Sequence, residues 1–304
     1  MTGTATSRRL GAELILVFVS FLWGVTFVVV KSALADASAL VFLAARFSIA
    51  TLLLAGLFRF RPGTLNGFLA EWRGGAICGC FLFLGYALQT AGLLTTSASK
   101  SAFLTGLFIV FVPLLSSALH RRAPGWIDWT GAALAIGGTA LLTNAVSTGL
   151  RLSLGDLLTI GCAIAFSAHM VAVAHFSTAR NHEALTLWQI LSVAVLSAAG
   201  CGWIEPPRLV WTPRLGLALV VTAVFATAVC FALYTWAQAR TSATHAALIF
   251  ALEPVFAALT AWIWSGERWT ARSLTGAALI LAAILFVELK PSYGQTHPHS
   301  EAER

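Results

Sequence analysis

Charge is scarce in this chain: of 304 residues, 10% are Asp, Glu, Lys or Arg, and twelve residues are acidic. Catalysis needs a nucleophile beside a base, or carboxylates and histidines grouped to hold a metal. The sequence contains no HExxH, GxSxG or CxxC pattern and no paired aspartates. His169 and His175 stand six apart, which does not bring both to one helix face well. GxxxxGK[ST] is also missing, which argues against ATP as the drive. The five cysteines, Cys78, Cys80, Cys162, Cys201 and Cys230, fall within or at the ends of apolar runs and read as small buried hydrophobes. No enzyme, cofactor or metal is therefore expected.

What the chain does have is apolar surface, with 58% hydrophobic residues and a mean hydropathy of +0.84. One soluble core of this size could not hide that much. The apolar residues fall into ten runs near the roughly 20 residues that cross a bilayer: 13–31, 39–58, 74–95, 100–119, 126–144, 154–175, 184–203, 214–237, 243–264 and 271–289. The expected class is an all-α integral membrane protein of ten transmembrane helices. Arg8 and Arg9 precede the first run, which is longer than a typical signal-peptide core and reads as a retained helix. The net charge of +7 is spread over run ends, so it reports topology and not a nucleic-acid partner. With the amino terminus in the cytoplasm, the first half places Arg8, Arg9, Arg59, Arg61, Arg73, Arg121 and Arg122 inside against Lys31 and Lys100 outside. The second half is balanced, with Arg180, Arg240, Lys290 and Arg304 against Arg151, Arg208, Arg214, Arg268 and Arg272. Ten crossings return the carboxyl terminus to the cytoplasm.

The chain also repeats itself. TSASKSAFLTG at 96–106 returns as TSATHAALIFA at 241–251, and TGAAL at 130–134 returns at 275–279, both 145 residues on. Farther upstream the offset is 143, aligning Glu13 with Asp156 and Trp23 with Phe166. These echoes divide the chain into repeats at 1–147 and 148–290, with a polar cytoplasmic tail at 291–304. A unit with an odd number of crossings inserts upside down when repeated, giving two halves related by an axis in the membrane plane. HRR at 120–122 and the nearly self-neutralising GER at 266–268 agree with opposite orientations. Such halves can exchange conformations, which is alternating access around a central cavity; duplication kept only for stability is the plainer alternative.

LWGVTFVVVK in the first run, LAARFSIATLLL in the second and ALEPVFAALTAWIWSGERWTARSLTGAALILAAI at 251–284 resemble the EamA-type branch of the drug/metabolite transporter superfamily. The resemblance covers nearly the whole chain. It implies a ten-helix basket around a central cavity, both termini in the cytoplasm of a bacterial inner (plasma) membrane, and a small-molecule substrate. Bacterial aromatic amino-acid exporters are among the proteins it resembles, so amino-acid export is the expected function. A broad-specificity drug/metabolite efflux carrier is the alternative; a channel or an intramembrane enzyme lies outside the carrier class. Drive is facilitated or ion-coupled.

The candidate cavity residues are Trp23, Tyr86, Gln89, Phe103, His169, Trp188, Tyr234, Trp236, Gln238 and Glu253, a mostly aromatic set with a few polar handles. Glu253 is the acid deepest in an apolar run, where an ionised carboxylate costs about 2.5–3.5 kcal/mol. It is read as a partner for a substrate amino group, a proton carrier, or a hydrogen-bonded packing residue. Arg46 is a structural ion-pair candidate, with a substrate carboxylate as the other reading. Lys100 and His245 occupy equivalent positions and are gate candidates, as are Pro113 and Pro254, which would free the carbonyls of Ile109 and Phe250 inside their helices. Trp72, Trp126, Trp129, Trp203, Trp211, Trp264 and Trp269 lie near run ends and suit the lipid interface. TGAALAIGGTA and TGAALILAAI are rich in small residues, for close packing within the fold or between protomers of a homo-oligomer.

Overall fold

Apolar runs of this length leave the backbone no partner but itself in lipid, so they close their hydrogen bonds as helices. A computed structural model describes residues 2–58, 68–120, 124–142, 153–177, 182–265 and 270–288. The helices are α1 (Thr2–Ala33), α2 (Ala39–Phe58), α3 (Trp72–Leu93), α4 (Ala98–Thr105), α5 (Phe108–His120), α6 (Trp126–Leu142), α7 (Leu154–Phe176), α8 (His182–Gly200), α9 (Pro213–Val220), α10 (Cys230–Gln238), α11 (Ala243–Phe250), α12 (Glu253–Ser265) and α13 (Ala271–Glu288). A π-helical stretch, Val221–Val229, joins α9 to α10. Among the described residues eight segments are long and apolar enough to cross a membrane; α6 and α13 are shorter. Arg59, Arg61, Arg121, Arg122, Arg151, Arg180, Arg268, Trp269, Lys290 and the 291–304 tail lie outside the described residues, as does the GER stretch at 266–268.

Two of the ten runs are not continuous helices. The 100–119 run breaks at Gly106 and Leu107, and the 243–264 run breaks at Ala251 and Leu252. These breaks are 145 residues apart and in register, as are the short helices before them. Ser97 and Ser242 cap those helices identically, each side chain accepting the backbone N–H three residues on at 3.2 Å. At each break the ladder tightens to bonds three residues back, Leu107 N to Leu104 O and Leu252 N to Ile249 O. The prolines are placed differently from expectation. Pro254 stands in the first turn of α12, where its missing N–H breaks no bond, while Pro113 sits inside α5 well past the break. The break, not the proline, is the feature the two repeats share.

In lipid, apolar burial does not drive helices together, so close packing must. A Cβ on Gly138 of α6 would fall 2.7 Å from Gly276 O of α13, and the two TGAAL helices meet through these small residues. A Cβ on Gly24 would likewise lie 2.7 Å from Glu253 O, so its absence lets α1 rest against the start of α12.

The segments after α1 and α8 clasp each other. Asp36 accepts from Arg214 at 2.7 and 2.9 Å and from Thr212 at 2.7 Å; the Arg214 hydrogen bonds first, then that of Thr212, hold its carboxyl below the usual range. Backbone bonds Ser38 N to Arg208 O and Val210 N to Asp36 O join the same segments, and the Glu205 carboxylate caps α2 through Ala39 N and Leu40 N. Around this clasp Trp203, Trp211 and Ile204 are exposed, as interface residues are.

Candidate functional site

The bundle encloses a cavity of about 650 Å³, its open side included, walled by α1, α2, α3, both broken helices, α7 and α10. Its lining follows the sequence repeat. Offsets of 143 and 145 pair Trp23 with Phe166, Thr26 with His169, Phe27 with Met170, Tyr86 with Phe231, Gln89 with Tyr234, Thr105 with Phe250 and Phe108 with Glu253; all fourteen are among the eighteen lining residues. The cavity therefore uses the same positions of both repeats, while the side chains at those positions differ.

Eight of the eighteen lining residues are Phe, Tyr or Trp. The Trp23 ring centroid lies 5.1–5.8 Å from those of Phe231, Tyr234 and Phe250, and its indole N–H donates to Ala226 O at 2.9 Å. That acceptor belongs to the π-helical stretch. Tyr86 sits between Phe47 and Phe166 at 5.1 and 5.2 Å, edge to face.

A basic and an acidic side chain interrupt this wall. Arg46 is 2% exposed; its Nε donates to Thr227 Oγ1 at 2.7 Å, its Nη2 to the Tyr86 hydroxyl at 3.5 Å, and its guanidinium lies over the Tyr86 and Phe47 rings. The expected structural ion pair is absent: among the described residues no carboxylate pairs with Arg46, and two hydroxyls and two ring faces take that place. Glu253, 7% exposed, opens α12 and lines the same cavity. A carboxylate in a first helical turn sits at the positive end of the helix dipole, which offsets part of its burial cost. Beside them, His169 Nε2 meets Gln189 Oε1 at 2.7 Å while Gln189 Nε2 donates to Thr235 Oγ1 at 3.0 Å. With the amide so oriented, the imidazole proton resides on Nε2.

Of the residues chosen from sequence, Trp23, Tyr86, Gln89, His169, Tyr234 and Glu253 line the cavity. The other four lie elsewhere. Phe103 faces a separate small pocket with Gly106 and Ala135, and Trp188 stacks on Phe68 at 4.4 Å. Trp236 lies under the Arg240 guanidinium at 3.9 Å, and Gln238 is buried and donates to Thr241 O. Sequence reasoning placed Arg46 outside the cavity set, as an ion-pair candidate, and left out the phenylalanines Phe166, Phe231 and Phe250. The offsets that pair Trp23 with Phe166 and Tyr86 with Phe231 were a signal for two of them.

Two of the gate candidates, Lys100 and His245, lie close to acids of the other repeat. Lys100 Nζ meets Asp156 Oδ2 at 2.7 Å, and His245 Nε2 lies 3.3 Å from Glu13 Oε1. Asp156 also accepts from Thr96 Oγ1 and, in a capping box, from Ser153 N.

The chain matches the EamA-like transporter family over residues 10–144 and again over 153–289. It is 34% identical over 290 residues to a protein of Archaeoglobus fulgidus named an uncharacterized transporter, covering 95% of this chain and 89% of that one. A Bacillus subtilis protein, uncharacterized transporter YdfC, is 23% identical over 223 residues, 68% of this chain and 69% of its own. A solved structure described only as the crystal structure of a protein superposes with a TM-score of 0.73 at 22% identity, covering 92% of this chain and 96% of that one. Two family matches, one per sequence repeat, meet a cavity lined by equivalent positions of both: the chain is a multi-pass membrane protein belonging to the EamA-like transporter family.

Proposed function

We propose that this transporter is a secondary carrier for zwitterionic amino acids with large, chiefly aromatic side chains, working by alternating access in a bacterial plasma membrane. The observation that carries the reading is that Arg46 and Glu253, a base and an acid, line one cavity and are not paired with each other among the described residues. An α-carboxylate satisfies the guanidinium, an α-ammonium satisfies the carboxylate, and an aromatic side chain stacks on the wall around Trp23. The inverted repeat supplies the two exchanging halves, and export as the direction rests on the family resemblance.

Binding to the purified protein tests the zwitterion requirement. Phenylalanine, its decarboxylated analogue phenethylamine and its deaminated analogue phenylpropionate are compared by calorimetry. Each lost charge-assisted contact is worth about 1.5–3 kcal/mol, so both analogues bind about tenfold to a hundredfold more weakly. Phenethylamine binding as well as phenylalanine would favour a carrier of cationic drugs.

A further inference from the structure

The cavity reaches farther toward one end of the bundle than toward the other. Fourteen of its eighteen lining residues are the seven repeat pairs named above, and the other four, Val30, Arg46, Leu82 and Leu93, all belong to the first repeat. Their counterparts, at offset 143 for the first two and 145 for the others, are Val173, Gln189, Thr227 and Gln238, each 1% exposed or less. Val30 and Leu93 carry the cavity to one end: Val30 precedes the exposed Lys31, whose ammonium donates to Leu93 O. Asp156, in the first turn of α7, bonds Thr96 at that end, so Val173 lies about 26 Å farther along α7 at helical rise. Gln238 belongs to the same far end, since Ser177 Oγ, just past α7, donates to Thr235 O of α10 at 3.0 Å. There the bundle is shut, with Leu16, Val19, Ala237 and Ala246 fully buried.

The shut end strands polar atoms. Gln238 Nε2 donates to Thr241 O at 3.1 Å, which orients the amide and leaves Oε1 over; among the described residues nothing donates to that oxygen. One turn earlier on the same face, the hydroxyl of the cavity residue Tyr234 is buried with no partner, and Ser20 Oγ of α1, which packs on α10, is a third such atom. Close-packed interiors seldom leave such groups unpaired, because each costs stability.

We propose that Val173, Tyr234 and Gln238 line a second passage, from the cavity to the end now shut, and that Gln238 is the polar residue water reaches when that passage opens. The inference rests on the alternating-access reading. Exchanging the conformations of two inverted repeats opens the opposite end, and each lining residue then gives its place to its counterpart. Val173 replaces Val30, and Gln238 replaces Leu93. The two passages are unequal in chemistry: shutting the first buries apolar side chains, whereas shutting the second strands the Gln238 carbonyl. That cost weighs against the conformation seen here and keeps the exchanged one within reach.

Single cysteines in a background without the native five test this without substrate, read by a membrane-impermeant charged maleimide in vesicles of each orientation. Val30→Cys and Leu93→Cys react from one face, and Val173→Cys and Gln238→Cys react from the other. Val193→Cys, fully buried on α8 and not among the lining residues, reacts from neither. A bulky maleimide placed first on Leu93→Cys, from its own face, holds that passage open and abolishes reaction at Val173→Cys. Gln238→Leu, which copies the apolar side chain of the first repeat, removes the stranded oxygen and slows reaction at Val173→Cys about fivefold to a hundredfold. If the Gln238 variants do not fold, the sidedness of Val173→Cys and its loss on blocking Leu93→Cys decide the matter. Reaction of Val173→Cys from the Val30 face, reaction no faster than at Val193→Cys, or an unchanged rate in folded Gln238→Leu overturns the proposal. Amino-acid binding plays no part in this readout, so failure of the substrate reading and failure of the passage are seen separately.

Discussion

At position 253 the second repeat carries a carboxylate where the first carries Phe108, and at 169 a histidine where the first has Thr26. The cavity lining repeats in position and differs in chemistry between the two repeats. Replacing Glu253 with Gln keeps the shape and removes the charge; phenylalanine affinity is expected to fall about tenfold to a hundredfold in equilibrium binding. Arg46→Lys keeps a charge but loses the planar group that lies over Tyr86, and a similar loss is expected. Parental affinity in both variants would remove the two ions from substrate recognition. Glu253 was legible in the sequence because an acid deep in an apolar run needs a reason. Arg46 was only half legible: its depth was visible, but a buried arginine normally implies a carboxylate, and nothing in the sequence announced Thr227 and two ring faces as its surroundings. Trp188 and Trp236 show the converse error, since depth in a run does not tell which way a ring points.

The broken helices are where local sequence and element diverge most. A continuous apolar run predicts a continuous helix, and Pro113 and Pro254 drew attention away from the actual breaks at Gly106–Leu107 and Ala251–Leu252. The repeat phrase contained the answer: its serines begin both short helices at equivalent positions, and the breaks follow in register. Ser97→Ala and Ser242→Ala are each expected to cost about 1 kcal/mol of stability, read as a lower melting temperature in detergent. The π-helical stretch had no sequence signature, yet it presents Ala226 O to Trp23 and Thr227 to Arg46. The clasp between the segments after α1 and α8 is pH-dependent. Because the Asp36 carboxyl is held below its usual range, its contribution is present above about pH 4 and is lost as pH falls through its native value. Asp36→Asn is therefore expected to melt earlier than the parent at pH 7, with the gap closing on acidification; a constant gap would contradict that assignment.

For the whole molecule, the two-repeat organisation was readable because the phrase at 96–106 survives so well at 241–251, and the family matches fall on the same division. Substrate chemistry was not readable to the same degree. It depends on which faces of six or seven helices meet, and in lipid those faces are chosen by small residues such as Gly24 and Gly138 rather than by a periodic apolar stripe. Counterflow in proteoliposomes tests the central claim most directly. Vesicles loaded with excess unlabelled phenylalanine are followed for entry of labelled phenylalanine, with Glu253→Gln beside the parent. The account predicts saturable entry, competed by zwitterionic amino acids but not by phenethylamine or phenylpropionate, and greatly reduced in the variant. Entry no greater than in empty liposomes, from protein shown to be folded, would contradict it.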